Sequence, residues 1–255
     1  MRSKWKIVFC ICLIIMVVSA IFLISYFATL ENRGDIYEEM QKRNEKLVEE
    51  LEEKAESVDD TNKVVIPIDF KSIKKDNEDI YAWIKIPGTK VDYPILQNKL
   101  DDDYYLNHTV EGKEGLPGSI YTESLNNIDF TDRNTVIYGH DMMDGSMFGD
   151  LSRYLASDYM EKHSKLLIYT LEHIYTYKIF AAVTYDDRHL LHNFDFSREK
   201  GLSDFLESIS KVRNMHSYIN DKISVSSTDR IVTLSTCTGN EEQRLLVEAV
   251  LIDEK

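Results

Sequence analysis

Residues 7–30 form one uncharged, largely apolar run of 24 residues, long enough to cross a hydrocarbon core as a single helix. The apolar stretch of a secretory signal peptide usually covers about 7 to 15 residues and ends at a small-residue cleavage site. Ser19-Ala20 offers such a site, but the length of the run predicts a retained transmembrane anchor. Arg2, Lys4 and Lys6 stand before the run, and residues 31–60 hold twelve acids against five bases. The positive-inside rule then places the N-terminus in the cytoplasm and the remaining 225 residues outside.

That exported part is strongly acidic, since the chain carries a net charge of −14 and its first thirty residues contribute about +3. Nucleic acid is excluded as a partner on this charge. Of the three cysteines, Cys10 and Cys12 lie in the apolar run, so Cys237 is the one exported thiol and has no disulfide partner in the chain. Such a thiol is an intermolecular crosslink, an inert buried residue or a reactive group.

Beyond the anchor, residues 35–57 lack Pro and are rich in Glu, Lys, Met and Leu, with Ile36, Met40, Leu47 and Leu51 on a sparse apolar stripe. The pattern predicts a helix that is either a solvated spacer or lies against the following domain, rather than a dimerising coiled coil. From residue 64 short β-branched runs predict strands at 64–68, 80–86, 91–96, 119–121, 135–138, 166–170, 174–184, 230–235 and 245–252. Leu202, Phe205, Leu206, Ile209 and Val212 predict one surface helix at 201–215 between late strands. Three segments follow: 1–30 as stub and anchor, 31–62 as an acidic helical spacer, and 63–255 as one mainly β, closed or nearly closed barrel domain.

Residues 230–237 read RIVTLSTC, and Thr238, Gly239 and Asn240 then signal a turn, so Cys237 sits at a strand end. There a nucleophile is fixed on rigid backbone yet open to a substrate. His140 follows another apolar strand and opens a Gly-containing loop. An imidazole can generate the thiolate and later protonate a leaving amine near neutral pH. The other six histidines are expected at the surface or in local hydrogen bonds. Arg244 starts the strand returning from the cysteine turn, and its five donors suit a developing oxyanion. The competing reading makes Arg244 a surface partner of Glu241, Glu242 or Glu248.

The residues YGHDM around His140, TLSTC ending at Cys237 and the seven-residue step to Arg244 closely resemble the sortases, cysteine transpeptidases of Gram-positive cell surfaces. IYAWIKIPGTKVDYPILQ at 80–97 and DDDYYL at 101–106 extend the resemblance, which covers residue 66 to the C-terminus. It is greatest to class B, with N-terminal helices and a long helix between the sixth and seventh strands, which residues 186–221 fit.

The resemblance implies a closed sortase-type β-barrel whose catalytic residues are His140, Cys237 and Arg244, while Ser235 and Thr236 either touch the substrate backbone or only complete the strand. It implies cleavage after Thr in an NPxTG-like C-terminal sorting signal of surface proteins, through a Cys237 thioester. An amino group of peptidoglycan or its lipid-linked precursor then resolves the thioester. No metal or cofactor is called for. The implied place is the cell membrane, with a single span and the catalytic domain outside. Gly239 stands where some class B enzymes carry an acidic residue proposed to orient the histidine, so no third member is assigned. The alternatives are a cysteine hydrolase using water, a pilin-polymerising sortase, and a non-catalytic anchored binding protein.

Overall fold

The computed structural model describes residues 2–55, 65–212 and 217–255. Helix α1 (Arg2–Ala55) is continuous from the apolar segment into the acidic one. Its stretch Trp5–Tyr26 has the length and composition to cross a membrane, and none of it is buried against the protein. Further along, Tyr37, Met40 and Asn44 are buried on one face, spaced as successive turns of a helix require. The helix therefore lies against the domain. Of the predicted stripe, Met40 is fully buried and Ile36 packs beside it, while Tyr37 and Asn44 supply the rest of the contact. Polar bonds complete the dock. Arg43 reaches Asp76 at 2.6 Å, Gln41 Nε2 donates to Asp92 O at 2.6 Å, and Asp69 N donates to Asn44 Oδ1 at 3.2 Å.

The boundary expected between residues 62 and 63 lies outside the described residues. The strand predicted at 64–68 does not form: Val64 is not described, 65–67 are irregular, and Pro67 offers no N–H to a ladder. Ile68 instead tucks into the core just before the short helix α2 (Phe70–Ile73), which Asp69 caps by accepting from Ser72 N at 3.0 Å.

Nine strands follow: β1 (Ile80–Lys85), β2 (Asp92–Leu96), β3 (Ile120–Tyr121), β4 (Asn134–Tyr138), β5 (Lys165–Tyr169), β6 (Ile174–Asp186), β7 (Ser217–Ile219), β8 (Ile231–Cys237) and β9 (Gln243–Glu254). Their spatial order is β5-β1-β2-β3-β4-β8-β9-β6, and β6 pairs with β5 to close an eight-stranded barrel. Closure removes free sheet edges. Strand β7 adds to the upper part of β6 as a ninth member. The pairs β2–β3 and β4–β8 are parallel, and the others are antiparallel.

Alternation along these strands builds two cores. Ile137, Val232, Leu234, Leu245, Val247 and Ala249 fill the barrel interior. Their neighbours Val136, Ile231, Leu246 and Val250 point outward, and they are covered by the segment between β6 and β7. That segment holds α4 (Leu190–Asn193) and α5 (Glu199–Ser210), whose Leu202, Phe205 and Ile209 are buried against the barrel wall. The helix expected at 201–215 thus starts two residues earlier and ends at Ser210, while 213–216 lie outside the described residues. A further short helix, α3 (Ser157–Lys162), precedes β5.

Candidate active site

Cys237 ends β8, whose β-branched residues are held on both sides by ladders to β4 and β9. After it the chain turns through Gly239, whose φ of +79° lies in the left-handed region that glycine adopts without strain. A Cβ at Gly239 would meet nothing within 4 Å. This position therefore supplies no partner for the histidine.

In the parallel β4–β8 pair, Tyr138 stands opposite Ser235, and Gly139 N donates to Ser235 O at 3.2 Å. The sequence offset there is 235 − 138 = 97, the same as between His140 and Cys237. One more step of two residues on each chain thus brings His140 abreast of Cys237 on the same outward face. On the other flank Cys237 is paired directly with Arg244 across the antiparallel β8–β9 ladder. Directly opposed residues in such a ladder project to one face. Cys237 and Arg244 are therefore side by side on β8 and β9, and His140 lies two residues beyond the end of the neighbouring β4.

Cys237 is exposed, and all three residues line one cleft of about 220 Å3. The end of β6 at Asp186 and the start of the β6–β7 segment, up to Leu190, also line it. The His140 Nε2 lies 2.6 Å from Leu106 O, to which only a protonated nitrogen can bond, so Nε2 carries hydrogen. A backbone carbonyl thus orients the ring in place of a carboxylate, and in the neutral imidazole Nδ1 keeps the lone pair.

The Arg244 guanidinium curls over its own hairpin, with Nη1 donating to Glu241 O at 3.1 Å and to Gln243 O at 2.9 Å. Among the described residues no carboxylate lies within ion-pair distance of it. Glu248, one of the proposed partners, is fully buried and accepts from Thr233 Oγ1 at 2.8 Å. Ser235 and Thr236 are both buried at the cleft margin. Ser235 shares the face of Cys237, whereas Thr236 alternates away from it.

One polar pair had no signal in the sequence. Glu123, just after β3, is buried in the cleft, and His189 from the β6–β7 segment places Nε2 3.0 Å from Oε1 and 2.9 Å from Oε2. Burial raises the Glu123 carboxyl above its ordinary range, while His189 and the Tyr138 hydroxyl pull in the opposite direction. His189 thus joins a partner 66 residues away as well as a local one, its Nδ1 accepting from His192 N at 3.3 Å. The pair ties the inserted segment to the barrel at the end of the cleft.

A Sortase domain family model matches residues 84–252. The chain belongs to the sortase family. Sortase B of Listeria monocytogenes is 34% identical over 187 residues, covering 72% of this chain and 74% of the relative. Among solved structures, the Staphylococcus aureus sortase B–substrate complex superposes with a TM-score of 0.72 at 30% identity, covering 88% of this chain and 97% of that one. Sortase B from B. anthracis in complex with AAEK1 gives a TM-score of 0.63 at 36% identity, over 72% of this chain and 84% of that one. The protein is therefore a class B sortase, a cysteine transpeptidase, and its closed barrel with a helix in the β6–β7 segment is the sortase B fold.

Proposed function

We propose that Cys237, His140 and Arg244 are the reacting centre of this sortase, and that it joins surface proteins bearing an NPxTG-like signal to a peptidoglycan amine. The observation that supports the reading is the shared cleft, which His140 lines from just past β4 and Cys237 and Arg244 line as a directly opposed pair on β8 and β9. In the proposed sequence, Nδ1 of His140 takes the thiol proton and the Cys237 thiolate attacks the carbonyl carbon of the signal's Thr. The oxygen gains negative charge, and Arg244, leaving the hairpin carbonyls it now holds, donates to that oxyanion. Collapse expels the Gly amine, protonated by His140, and leaves a thioester on Sγ. The incoming amine then loses a proton to His140 and displaces the thiolate. Ser235, on the same face, is the better placed of the two cleft-margin residues to meet the substrate backbone, and Thr236 completes the strand.

Residues 7–30 anchor the enzyme in this reading, residues 31–62 are the acidic spacer that joins anchor to domain, and 63–255 form the catalytic domain outside the cell. The identity of the acceptor decides between transpeptidase and hydrolase. Purified protein is incubated with an NPxTG-type peptide, with and without a primary amine, and the products are separated by mass. An amide of the added amine is expected to replace the free acid as amine rises. Free acid alone at every amine concentration would make the protein a hydrolase.

A further inference from the structure

We infer that Tyr37, on the helix that carries the membrane-crossing stretch, is a positioning residue for His140. The inference rests on the reading of His140 as acid and base to Cys237. Tyr37 is buried 3% exposed between α1 and the barrel, 81 residues in sequence from its main partner. Its hydroxyl donates to Gly118 O at 2.5 Å, accepts from Val110 N at 3.1 Å and lies 3.0 Å from Ser119 Oγ. One phenol thus pins three points of the segment 104–119.

That segment is what holds the His140 ring. Leu106 O takes the Nε2 hydrogen. Gly118, at φ +65°, packs so closely that a Cβ there would stand 2.6 Å from Leu106 O and 3.0 Å from His140 Cδ2. Ser119 N donates to Tyr105 O at 3.0 Å, and Ser119 Oγ to His108 O at 2.8 Å, so the two arms of the segment move as one. A shift of Gly118 therefore moves the carbonyl and the ring together.

A second path reaches His140 from its other side. The Tyr37 ring packs edge-on against Tyr93, centroids 5.7 Å apart at 83°. The Tyr93 hydroxyl accepts from Met147 N at 3.0 Å. Met147 pairs with Asp141, and Phe148 N donates to His140 O at 2.9 Å. Ring and backbone of the histidine are thus both braced by contacts that begin at Tyr37. Burial also raises the phenol above its ordinary value of 10, so it remains a donor throughout the working range. A helix that only tethered the domain would need none of this. The arrangement places the imidazole under the control of α1, and misplacement by about 1 Å can cost about a hundredfold in rate.

The test uses the full chain in detergent micelles and compares wild type, Tyr37→Phe, His140→Ala and Arg43→Met. Arg43 docks the same helix through Asp76 and Ser72, away from His140. Two readouts are taken: the pH dependence of Cys237 alkylation by iodoacetamide, followed on the Cys237 peptide by mass, and kcat and KM on a sorting peptide. His140→Ala is expected to change the alkylation profile, and Tyr37→Phe to move toward it, with kcat lower by about tenfold to a hundredfold and KM within about twofold. Arg43→Met should lower the unfolding temperature but keep the wild-type profile. A wild-type profile and kcat in Tyr37→Phe, or an equal shift in Arg43→Met, would overturn the inference while leaving the site intact. An unchanged profile in His140→Ala would instead remove the Cys237–His140 reading and the inference with it.

Discussion

The outer face of β4, β8 and β9 is one surface with two fates. At one end Val136, Ile231, Leu246 and Val250 lie beneath Leu202, Phe205 and Ile209 of α5, and even Thr233 and Glu248 are sealed from solvent there. At the other end of the same sheet, Cys237 on β8 is exposed, and Arg244 on β9 and His140 just past β4 are half-buried. What differs is only whether the β6–β7 segment covers the strand. The covered half makes the ladder rigid, and the open half inherits that rigidity without losing access. A nucleophile on a loop would have access but a looser geometry.

If the two halves differ in this way, substitutions in the open half should change rate and spare stability, and those in the covered half should do the reverse. The largest effect is expected at Arg244. Lysine keeps the charge but loses the planar fork, and the loss of an oxyanion contact costs about 2.7 to 4 kcal/mol, or about 100-fold to 1000-fold in rate. Arg244→Lys should show that drop in peptide cleavage with an unchanged unfolding temperature. A near wild-type rate would return Arg244 to an ordinary surface residue, worth about 0 to 1 kcal/mol.

The covered half gives a smaller, pH-dependent effect on stability. Burial pushes the Glu248 carboxyl from its ordinary 4.5 up to about 8, opposed by the bond from Thr233. A raised carboxyl contributes stability that is complete below about pH 4.5 and is lost as pH rises through about 8. Each unit across that window is worth about 1.4 kcal/mol at most. Denaturant unfolding at pH 5 and pH 9 should therefore shift the stability difference toward Glu248→Gln by a few kcal/mol at the higher pH, with the Cys237 alkylation profile unaltered. A difference independent of pH would mean that Glu248 is already ionised or in contact with water.

Much of this was legible in the sequence. Strand ends at Tyr138 and Cys237 are local facts, written in β-branched runs that stop at Gly139 and Thr238. The meeting of His140 with Cys237 was not local, and neither periodicity nor spacing could show it. Once β4 and β8 are known to be parallel neighbours, their shared offset of 97 residues brings both positions to the same end of the sheet. The run at 64–68 misled because β-branched composition cannot show that a segment lacks a strand to pair with. Strand β7 has no sequence signal, because three half-buried residues, Ser217 to Ile219, carry too short a pattern. The stripe on α1 is legible through Met40, but Tyr37 and Asn44 are buried in part by bonds to loops, which periodicity does not show. Glu123 and His189 were invisible for the same reason, as a pair defined only by the fold.

The central claim is that the end of β8 presents Cys237 as the nucleophile. Wild-type protein is mixed with an NPxTG-type peptide without amine, quenched in acid, and the masses of the intact chain and of its Cys237 peptide are measured. The expected result is an added mass equal to the peptide fragment ending at Thr, carried on Cys237 and absent from Cys237→Ala, which should not cleave the peptide. Cleavage persisting in Cys237→Ala within tenfold of wild type, or an adduct on any other residue, would contradict the account.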